Sequence, residues 1–269
     1  SLAGGVYKCP AGERRSATGA DRGVRRPEVR AAPTPDMSTQ LWDEARVREL
    51  HDDLVSLYEP VDRVAEHGAD PTAEPGEGVR QLVTTILSQN VADANTSRAA
   101  EALFGRYDDF SAIEAADHDD LAETIRVAGL ADQKAARIQR ALVAIREETG
   151  GAYSLAFLDA MPTDDAKAWL TAIKGVGPKT ASVVLNFHFG KPTMAVDTHV
   201  ERVSKRFGLV PESASNEAAH DALDELVPDE LIYPLHVLLI RHGRTHCSAR
   251  AADCDNPVCA AYCDCEFCA

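Results

Sequence analysis

Six of the seven cysteines of this 269-residue chain lie within its last twenty-three residues. A segment this short and polar cannot bury enough apolar surface to order itself, so it needs a cross-link. The possible cross-links are disulfides, zinc and an iron–sulfur cluster. No apolar signal segment opens the chain, so we expect a cytoplasmic protein and a metal rather than disulfides.

The spacing of these cysteines favours one metal centre. The pattern Cys247-x6-Cys254-x4-Cys259-x5-Cys265 strings four thiolates along one loop, and a [4Fe–4S] cluster needs four. Zinc ribbons more often use two close pairs, and only Cys265 and Cys268 form such a pair. Spacing therefore favours an iron–sulfur cluster and leaves zinc as the alternative.

The remainder of the chain predicts an all-α fold. Alanine, leucine, glutamate and arginine recur at helical spacing, and aromatic residues make up only 6% of the sequence. We predict no strand, no internal repeat and no membrane-spanning segment, and we expect a loop at 67–78. The predicted helices are 41–58, 79–88, 92–105, 109–116, 118–127, 132–149, 164–173, 178–188, 198–207, 216–226 and 230–242.

Charged residues are distributed unevenly along the chain. The formal net charge is −15, while residues 1–36 carry seven bases against four acids and lack apolar periodicity. We expect 1–36 to be a disordered extension that is not native, with Met37 as the natural start; a basic DNA-tethering arm is the alternative. The acidic remainder, with only seven lysines, is typical of adaptation to high salt, so net charge does not exclude a nucleic-acid partner.

A glycine turn at the centre of the chain predicts a DNA-binding hairpin. Gly175-Val176-Gly177 follows an apolar helix end, and Pro178 occupies a position that the first helical turn tolerates. The free N–H groups of the next helix, and its dipole, suit a phosphate. We predict a helix-hairpin-helix that grips the DNA backbone through Gly175, Val176, Gly177 and Thr180.

Two residues near this hairpin are candidate catalytic groups. Lys179 lies in the first turn of the second hairpin helix, where the dipole disfavours a positive charge and promotes the free, nucleophilic amine. Asp197 lies eighteen residues later, at the start of another predicted helix. Its carboxylate is suited to proton transfer and to stabilising positive charge, although aspartate there also serves as a helix cap.

The order of motifs resembles that of the endonuclease III family of DNA glycosylases, and the acidic composition suggests a haloarchaeal member. The resemblance covers roughly 79–268 and rests on ILSQNVADANTSRA, VAGLADQKAARI, KGVGPKTA, AVDTHVERV and HGRTHC followed by clustered cysteines. It implies a six-helix barrel at 79–190 and a second helical domain, 37–78 plus 191–269, that ends in a [4Fe–4S] loop. The resemblance also implies that duplex DNA binds in the cleft between the two domains.

The resemblance also implies an activity and roles for residues. The expected enzyme is a monomer, associated with the nucleoid, that flips damaged pyrimidines out of duplex DNA, excises them and cleaves the abasic strand by β-elimination. Lys179 matches the nucleophile and Asp197 its partner carboxylate. Gln89 and Asn90 match the position of a polar plug that fills the vacated base gap, and Leu130 matches a wedge between bases of the opposite strand.

Two departures from the family pattern leave alternatives open. The usual cysteine spacing is x6, x2, x5, whereas the middle gap here is x4. We expect the ligands Cys247, Cys254, Cys259 and Cys265, with Cys263 as the alternative fourth ligand and Cys268 as a spare thiol. Lys174 replaces a proline before the hairpin, where it adds a phosphate contact or competes as nucleophile. A monofunctional mismatch glycosylase and a non-catalytic DNA-binding protein with a zinc tail are the alternative functions.

Overall fold

The computed structural model describes residues 42–68, 70–74, 76–250 and 252–263. Predictions for residues 1–36, Cys265 and Cys268 lie outside these ranges. The described residues form thirteen α-helices and no strand, which confirms the all-α prediction. The helices are α1 (Glu44–Leu57), α2 (Arg63–His67), α3 (Glu77–Leu87), α4 (Asp93–Arg106), α5 (Phe110–Ala115), α6 (His118–Thr124), α7 (Ala131–Thr149), α8 (Thr163–Ala172), α9 (Pro178–Val183), α10 (Thr198–Arg206), α11 (Asn216–Leu226), α12 (Ile232–Thr245) and α13 (Pro257–Tyr262). None of these helices is long and apolar enough to cross a lipid bilayer.

Three local features differ from the sequence prediction. The short helices α2 and α13, of five and six residues, were not predicted; each spans fewer than two helical turns, so the helical period gives only a weak signal there. Helix α3 begins at Glu77, inside the predicted loop. The predicted helix 178–188 is divided into α9 and a π-helical turn, Val184–His188.

Aspartate side chains begin many of these helices. Asp43, Asp62, Asp109, Asp117 and Asp197 each accept a backbone N–H of the first turn of α1, α2, α5, α6 and α10 respectively. An aspartate at this position satisfies a donor that the helix leaves unpaired, and its charge complements the helix dipole. Part of the acidic composition therefore stabilises local structure.

Buried apolar residues form two separate cores. The first core joins α3–α9 and runs in sequence from Val79 to Phe189. The second joins α1 to α10–α13 and includes Leu50, Val200 and Cys247. Both cores lie in one compact unit that begins at Trp42. We propose that the two cores correspond to the two domains that the sequence predicts.

Asp224 of α11 fixes the segment that connects the two cores. Its Oδ2 accepts hydrogen bonds from Lys167 Nζ of α8 at 2.9 Å and from Thr193 Oγ1 at 3.0 Å. Its Oδ1 accepts the backbone N–H of Met194. One carboxylate therefore holds residues 193–194 against helices of both cores, and this fixes the approach to Asp197.

Candidate active site

The two glycines of the hairpin turn serve different purposes. Gly175 has φ +105°, which side-chain-bearing residues rarely adopt, and a β-carbon there would lie 2.8 Å from Arg137 Cδ of α7. A β-carbon at Gly177 would have no neighbour within 4 Å. Gly175 is therefore required by the packing of the hairpin on α7, whereas Gly177 leaves the outer surface of the turn open to an approaching molecule.

Two other predicted DNA contacts point their side chains inward. Val176 is 4% exposed and belongs to the first core, and its N–H donates to Ile173 O at 2.9 Å. Thr180 is also 4% exposed, and its Oγ1 accepts a hydrogen bond from Gln89 Nε2 at 3.0 Å. The side chains of these two residues hold the hairpin in place.

Lys179 is the second residue of α9 and is partly exposed. No side chain caps the N-terminus of this helix at Gly177. Lys174, before the turn, is exposed. Of these two lysines, only Lys179 lies within α9, next to its first residue, Pro178.

Asp197 uses only one of its two oxygens as a helix cap. Its Oδ1 accepts the N–H groups of both His199 and Val200 at 2.8 Å. Its Oδ2 has no hydrogen-bond partner among the described residues. The cap fixes the orientation of the carboxylate, and the second oxygen is available for a substrate.

A histidine that the sequence analysis did not select lies beside both candidate catalytic groups. His236 of α12 is 2% exposed and packs its ring edge-to-face on Phe187, with centroids 5.3 Å apart. Burial lowers the pKa of His236 to about 4, while the charge of Asp197 raises that pKa and the charge of Lys179 lowers it. The imidazole is therefore neutral at physiological pH, and its pKa responds to the charges of both candidate groups.

Three other histidines, His199, His242 and His246, have structural contacts. His199 Nδ1 lies 3.0 Å from Arg202 Nη2. His242 is fully buried, with Nδ1 3.1 Å from Tyr58 Oη, and burial lowers its pKa to about 4. His246 Nδ1 lies 3.4 Å from Asp253 Oδ2.

Gln89 and Asn90, adjacent in sequence, have different environments. The Gln89 amide donates to Gly175 O at 3.3 Å and to Thr180 Oγ1, and its Oε1 accepts a hydrogen bond from Arg137. Asn90 is exposed, has a φ of +55°, and its side chain makes no hydrogen bond within the described part of the chain. Only Asn90 projects freely from this loop.

Leu130 is an apolar side chain presented to solvent on a strained backbone. It is 50% exposed, has a φ of +50° and immediately precedes α7. A non-glycine residue in this region costs free energy, and such outliers cluster at functional sites. Its conformation and exposure suit insertion into another surface.

Lys134 of α7 ties the Leu130 loop to the Gln89 loop. Its side chain has no exposed surface, and Nζ donates to Leu87 O and to Ala128 O, both at 2.7 Å. Burial, together with the charge of Arg137, lowers the pKa of Lys134. Because it is inaccessible, this lysine is structural and does not compete with Lys179 as a nucleophile.

Four of the six clustered cysteines are described. Cys247 and Cys259 are each 2% exposed, and Cys254 and Cys263 are partly exposed. Arg206 Nη1 donates to Cys247 Sγ at 3.1 Å, and His242 Nε2 lies 3.4 Å from Cys259 Sγ. Within the described ranges, no three His, Cys, Asp or Glu side chains are grouped so as to hold a metal ion.

Comparison with known proteins identifies the family. Residues 83–229, more than half of the chain, match the HhH-GPD superfamily of base excision DNA repair proteins. The endonuclease III of Rickettsia conorii is 38% identical over 190 residues, which are 69% of this chain and 83% of that protein. An Arabidopsis thaliana protein named as a DNA glycosylase is 35% identical over 163 residues, 61% of this chain and 55% of that protein.

A solved structure supports the same assignment. The structure of a trapped covalent intermediate between an endonuclease III and DNA superposes with a TM-score of 0.65 and 29% identity, covering 83% of this chain and 97% of that one. The helical architecture and the hairpin sequence therefore agree with both sequence comparisons. The chain belongs to the endonuclease III family, within the HhH-GPD superfamily of base excision DNA repair proteins.

Proposed function

We propose that this protein excises oxidised pyrimidines from duplex DNA and then cleaves the abasic strand by β-elimination. The observation that carries the proposal is the Asp197 carboxylate, whose Oδ1 is occupied by the α10 cap and whose Oδ2 has no hydrogen-bond partner among the described residues. The Lys179 amine complements it from the first turn of α9, a helix that no side chain caps. The charges of both residues act on the pKa of the buried His236. This amine and this carboxylate are the groups that a Schiff-base glycosylase requires.

Each chemical step has a candidate residue. The Lys179 amine attacks C1′ of the damaged nucleotide, and the bond from C1′ to the base breaks as the base leaves with its electron pair. Asp197 stabilises the positive charge that develops on the sugar and accepts the proton that the attacking amine loses. Asp197 then gives this proton to O4′ as the C1′–O4′ bond breaks, and the nitrogen lone pair forms the C1′=N Schiff base in the opened sugar. The Schiff base makes the C2′ proton acidic. When this proton passes to solvent, a C2′=C3′ double bond forms, the C3′–O bond breaks and the 3′ phosphate leaves, which cleaves the strand.

The DNA would be held through the outer surface of the hairpin and two adjacent loops. Gly177 offers an open turn to a backbone phosphate, with Lys174 exposed beside it. Leu130 is suited to insertion between bases, and Asn90 to filling the gap left by a flipped nucleotide. A covalent DNA intermediate has been trapped for the endonuclease III that this chain resembles at 29% identity.

Borohydride trapping on abasic duplex DNA tests the proposal. Borohydride reduces a Schiff base to a stable amine, so the wild-type protein should form a covalent protein–DNA adduct and the Lys179→Gln variant should form none. Lys174→Gln is the matched control, because it removes a neighbouring lysine without removing the amine on α9, and it should still be trapped.

Three outcomes would contradict the proposed function or its assigned nucleophile. Trapping that survives in Lys179→Gln and disappears in Lys174→Gln would move the nucleophile to Lys174. A wild-type protein that excises a base but forms no adduct is a monofunctional glycosylase. A wild-type protein that binds DNA without excision or adduct is a non-catalytic binding protein.

We further propose that Cys247, Cys254, Cys259 and Cys265 ligate a [4Fe–4S] cluster. Two observations support this proposal: Cys247 and Cys259 are each 2% exposed, and Arg206 Nη1 donates a hydrogen bond to Cys247 Sγ while His242 Nε2 lies 3.4 Å from Cys259 Sγ. A cationic donor such as Arg206 stabilises the negative charge of a ligand thiolate. When bound, the cluster supplies a cross-link for a segment that cannot order itself.

A further inference from the structure

The hydrogen bonds of Gln89 separate it in function from its neighbour Asn90. Gln89 is 86 residues from Gly175 and 91 from Thr180 in sequence, yet its amide reaches both. Gly175 lies in the hairpin turn, and Thr180 directly follows Lys179. The Gln89 side chain therefore connects its own loop to both sides of the candidate nucleophile.

Arg137 completes this connection from α7. Its Nη1 donates to Gln89 Oε1, and its aliphatic stem fills the space beside Gly175 that a β-carbon would occupy. A guanidinium donating to an amide oxygen makes a charge-assisted hydrogen bond, which is shorter and stronger than a neutral one. Both ends of the Gln89 amide are thus engaged, so its insertion into DNA would break three hydrogen bonds.

We propose that Gln89 and Arg137 form a strut that positions the Lys179 hairpin, and that Asn90 alone fills the gap left by a flipped base. This proposal rests on the proposed function, since it concerns how the nucleophile is held. Gln89 is a positioning residue: it touches the hairpin rather than the DNA. Small displacements of a reacting group reduce reaction rates steeply, so a strut next to the nucleophile has a kinetic effect.

The rate of borohydride trapping on two DNA substrates distinguishes a residue that positions Lys179 from one that fills the gap left by a flipped base. Duplex DNA with an abasic site has an opposite strand and a gap to fill, whereas a single-stranded abasic oligonucleotide has neither. A residue that fills the gap matters only on the duplex. A residue that positions Lys179 matters on both substrates.

The variants are Gln89→Met, Arg137→Met, the double variant, Asn90→Ala and Gln133→Met. Gln133 Oε1 also accepts a hydrogen bond from Arg137, at 3.3 Å, but on the exposed surface of α7 and away from the hairpin. It is therefore the matched control for Gln89. All rates are measured in single turnovers at saturating DNA, and thermal unfolding checks that each variant is folded at the assay temperature.

We expect Gln89→Met and Arg137→Met each to slow trapping about tenfold on both substrates, which corresponds to the loss of one charge-assisted hydrogen bond. The double variant should be no slower than the slower single variant, because both changes break the same connection. Gln133→Met should equal the wild type, and Asn90→Ala should be slow on the duplex only.

Three results would contradict the proposed strut. The first is a Gln89→Met variant that is trapped at the wild-type rate, and the second is a Gln89→Met variant that is trapped slowly on the duplex alone. The third is a double variant in which the rate reductions of the two single variants multiply. If Gln89→Met does not fold, Gln89→Glu replaces it, since it keeps the acceptor for Arg137 but loses both donors to the hairpin, and it should also be slow on both substrates. A wild-type protein that is never trapped would instead refute the proposed function.

Discussion

Two regions of the molecule with proposed functions differ in the contacts that stabilise them. We call residues 88–90, 128–137 and 174–180 the hairpin end, and the described cysteines with α13 the cysteine end. At the hairpin end, Lys134, Arg137 and Gln89 donate to carbonyl and amide oxygens of the chain itself. At the cysteine end, Arg206 of α10 and His242 of α12 approach sulfur atoms. The polar contacts of the hairpin end are thus made between atoms of the chain, whereas we propose that the cysteine end also needs a bound cluster.

The largest effect is expected at the cysteine end. Cys247→Ser should abolish iron binding, which we expect to be about four atoms per chain in the wild type, and should destabilise the second core. Iron analysis and thermal unfolding are the measurements. Cys263→Ser is the control and should retain iron if Cys265 is the fourth ligand.

The opposite pattern, iron lost in Cys263→Ser and kept in Cys265→Ser, would reassign the fourth ligand. Stoichiometric zinc in a colourless wild-type protein would contradict the cluster itself. A Cys247→Ser variant with unchanged stability would show that the cysteine end, like the hairpin end, does not need a bound cluster.

Asp197 lies between the two ends in sequence, and its replacement should affect chemistry without affecting folding. Asp197→Asn keeps an Oδ1 acceptor for the α10 cap but loses the charge, so base excision should slow by about 10²–10³, the usual cost of one such group. Single-turnover excision kinetics measure this. Asp117→Asn, at a cap where one oxygen also accepts two N–H groups, is the control and should be unaffected. Near-native excision by Asp197→Asn would leave Asp197 as a helix cap only.

Lys134 tests whether the hairpin end is held by its own polar contacts. Lys134→Met keeps much of the apolar stem but leaves Leu87 O and Ala128 O buried without a donor, so the free energy of unfolding should fall by about 3 kcal/mol. Urea denaturation measures it. Lys205→Met breaks a partly exposed pair with Glu201 within α10 and should cost only about 0.5 kcal/mol. An equal decrease in the free energy of unfolding in the two variants would show that the burial of Lys134 contributes nothing to stability.

The smallest effect is a pH dependence that arises at the candidate site. The pKa of His236 is about 4 in the folded state and 6.5 ordinarily, so the unfolded chain takes up a proton first as pH falls. Stability from this residue is complete above pH 6.5 and decreases below it, by about 2 kcal/mol between pH 6.5 and 5. The facing groups are Asp197, Lys179 and His220.

Denaturation of His236→Asn at both pH values checks this prediction. The variant should lose that part of the pH dependence, while His118→Asn, at the first residue of α6, should keep it. A pH dependence that is the same in wild type and His236→Asn would show that His236 takes up a proton as readily in the folded state as in the unfolded chain.

Sequence reasoning predicted most of the helices because their periods are long enough to detect. Helix α11 begins and ends as predicted, and α7 differs by one residue. The hairpin, Lys179 and the cap at Asp197 followed from local sequence, because turn glycines and capping residues act on their immediate neighbours. Whether these residues catalyse the reaction stays a prediction.

What the sequence could not reveal depends on contacts between distant residues. Arg137 and Gln89 are 48 residues apart, and no local pattern signals their hydrogen bond. His236 stands in an apolar helix, where a single histidine is usually structural, and only the fold brings it near Asp197 and Lys179. The different environments of Gln89 and Asn90 also required coordinates, because both are polar loop residues in the sequence.

The backbone of Leu130 has a consequence for attempts to engineer this protein. A left-handed, half-exposed leucine contributes little to folding, and a selection for heat resistance alone would favour replacing it with glycine or asparagine. Such a variant would gain stability while losing its only large apolar side chain in that loop. At position 130, a screen for thermostability would therefore select glycine or asparagine, whereas a screen for repair activity would retain leucine.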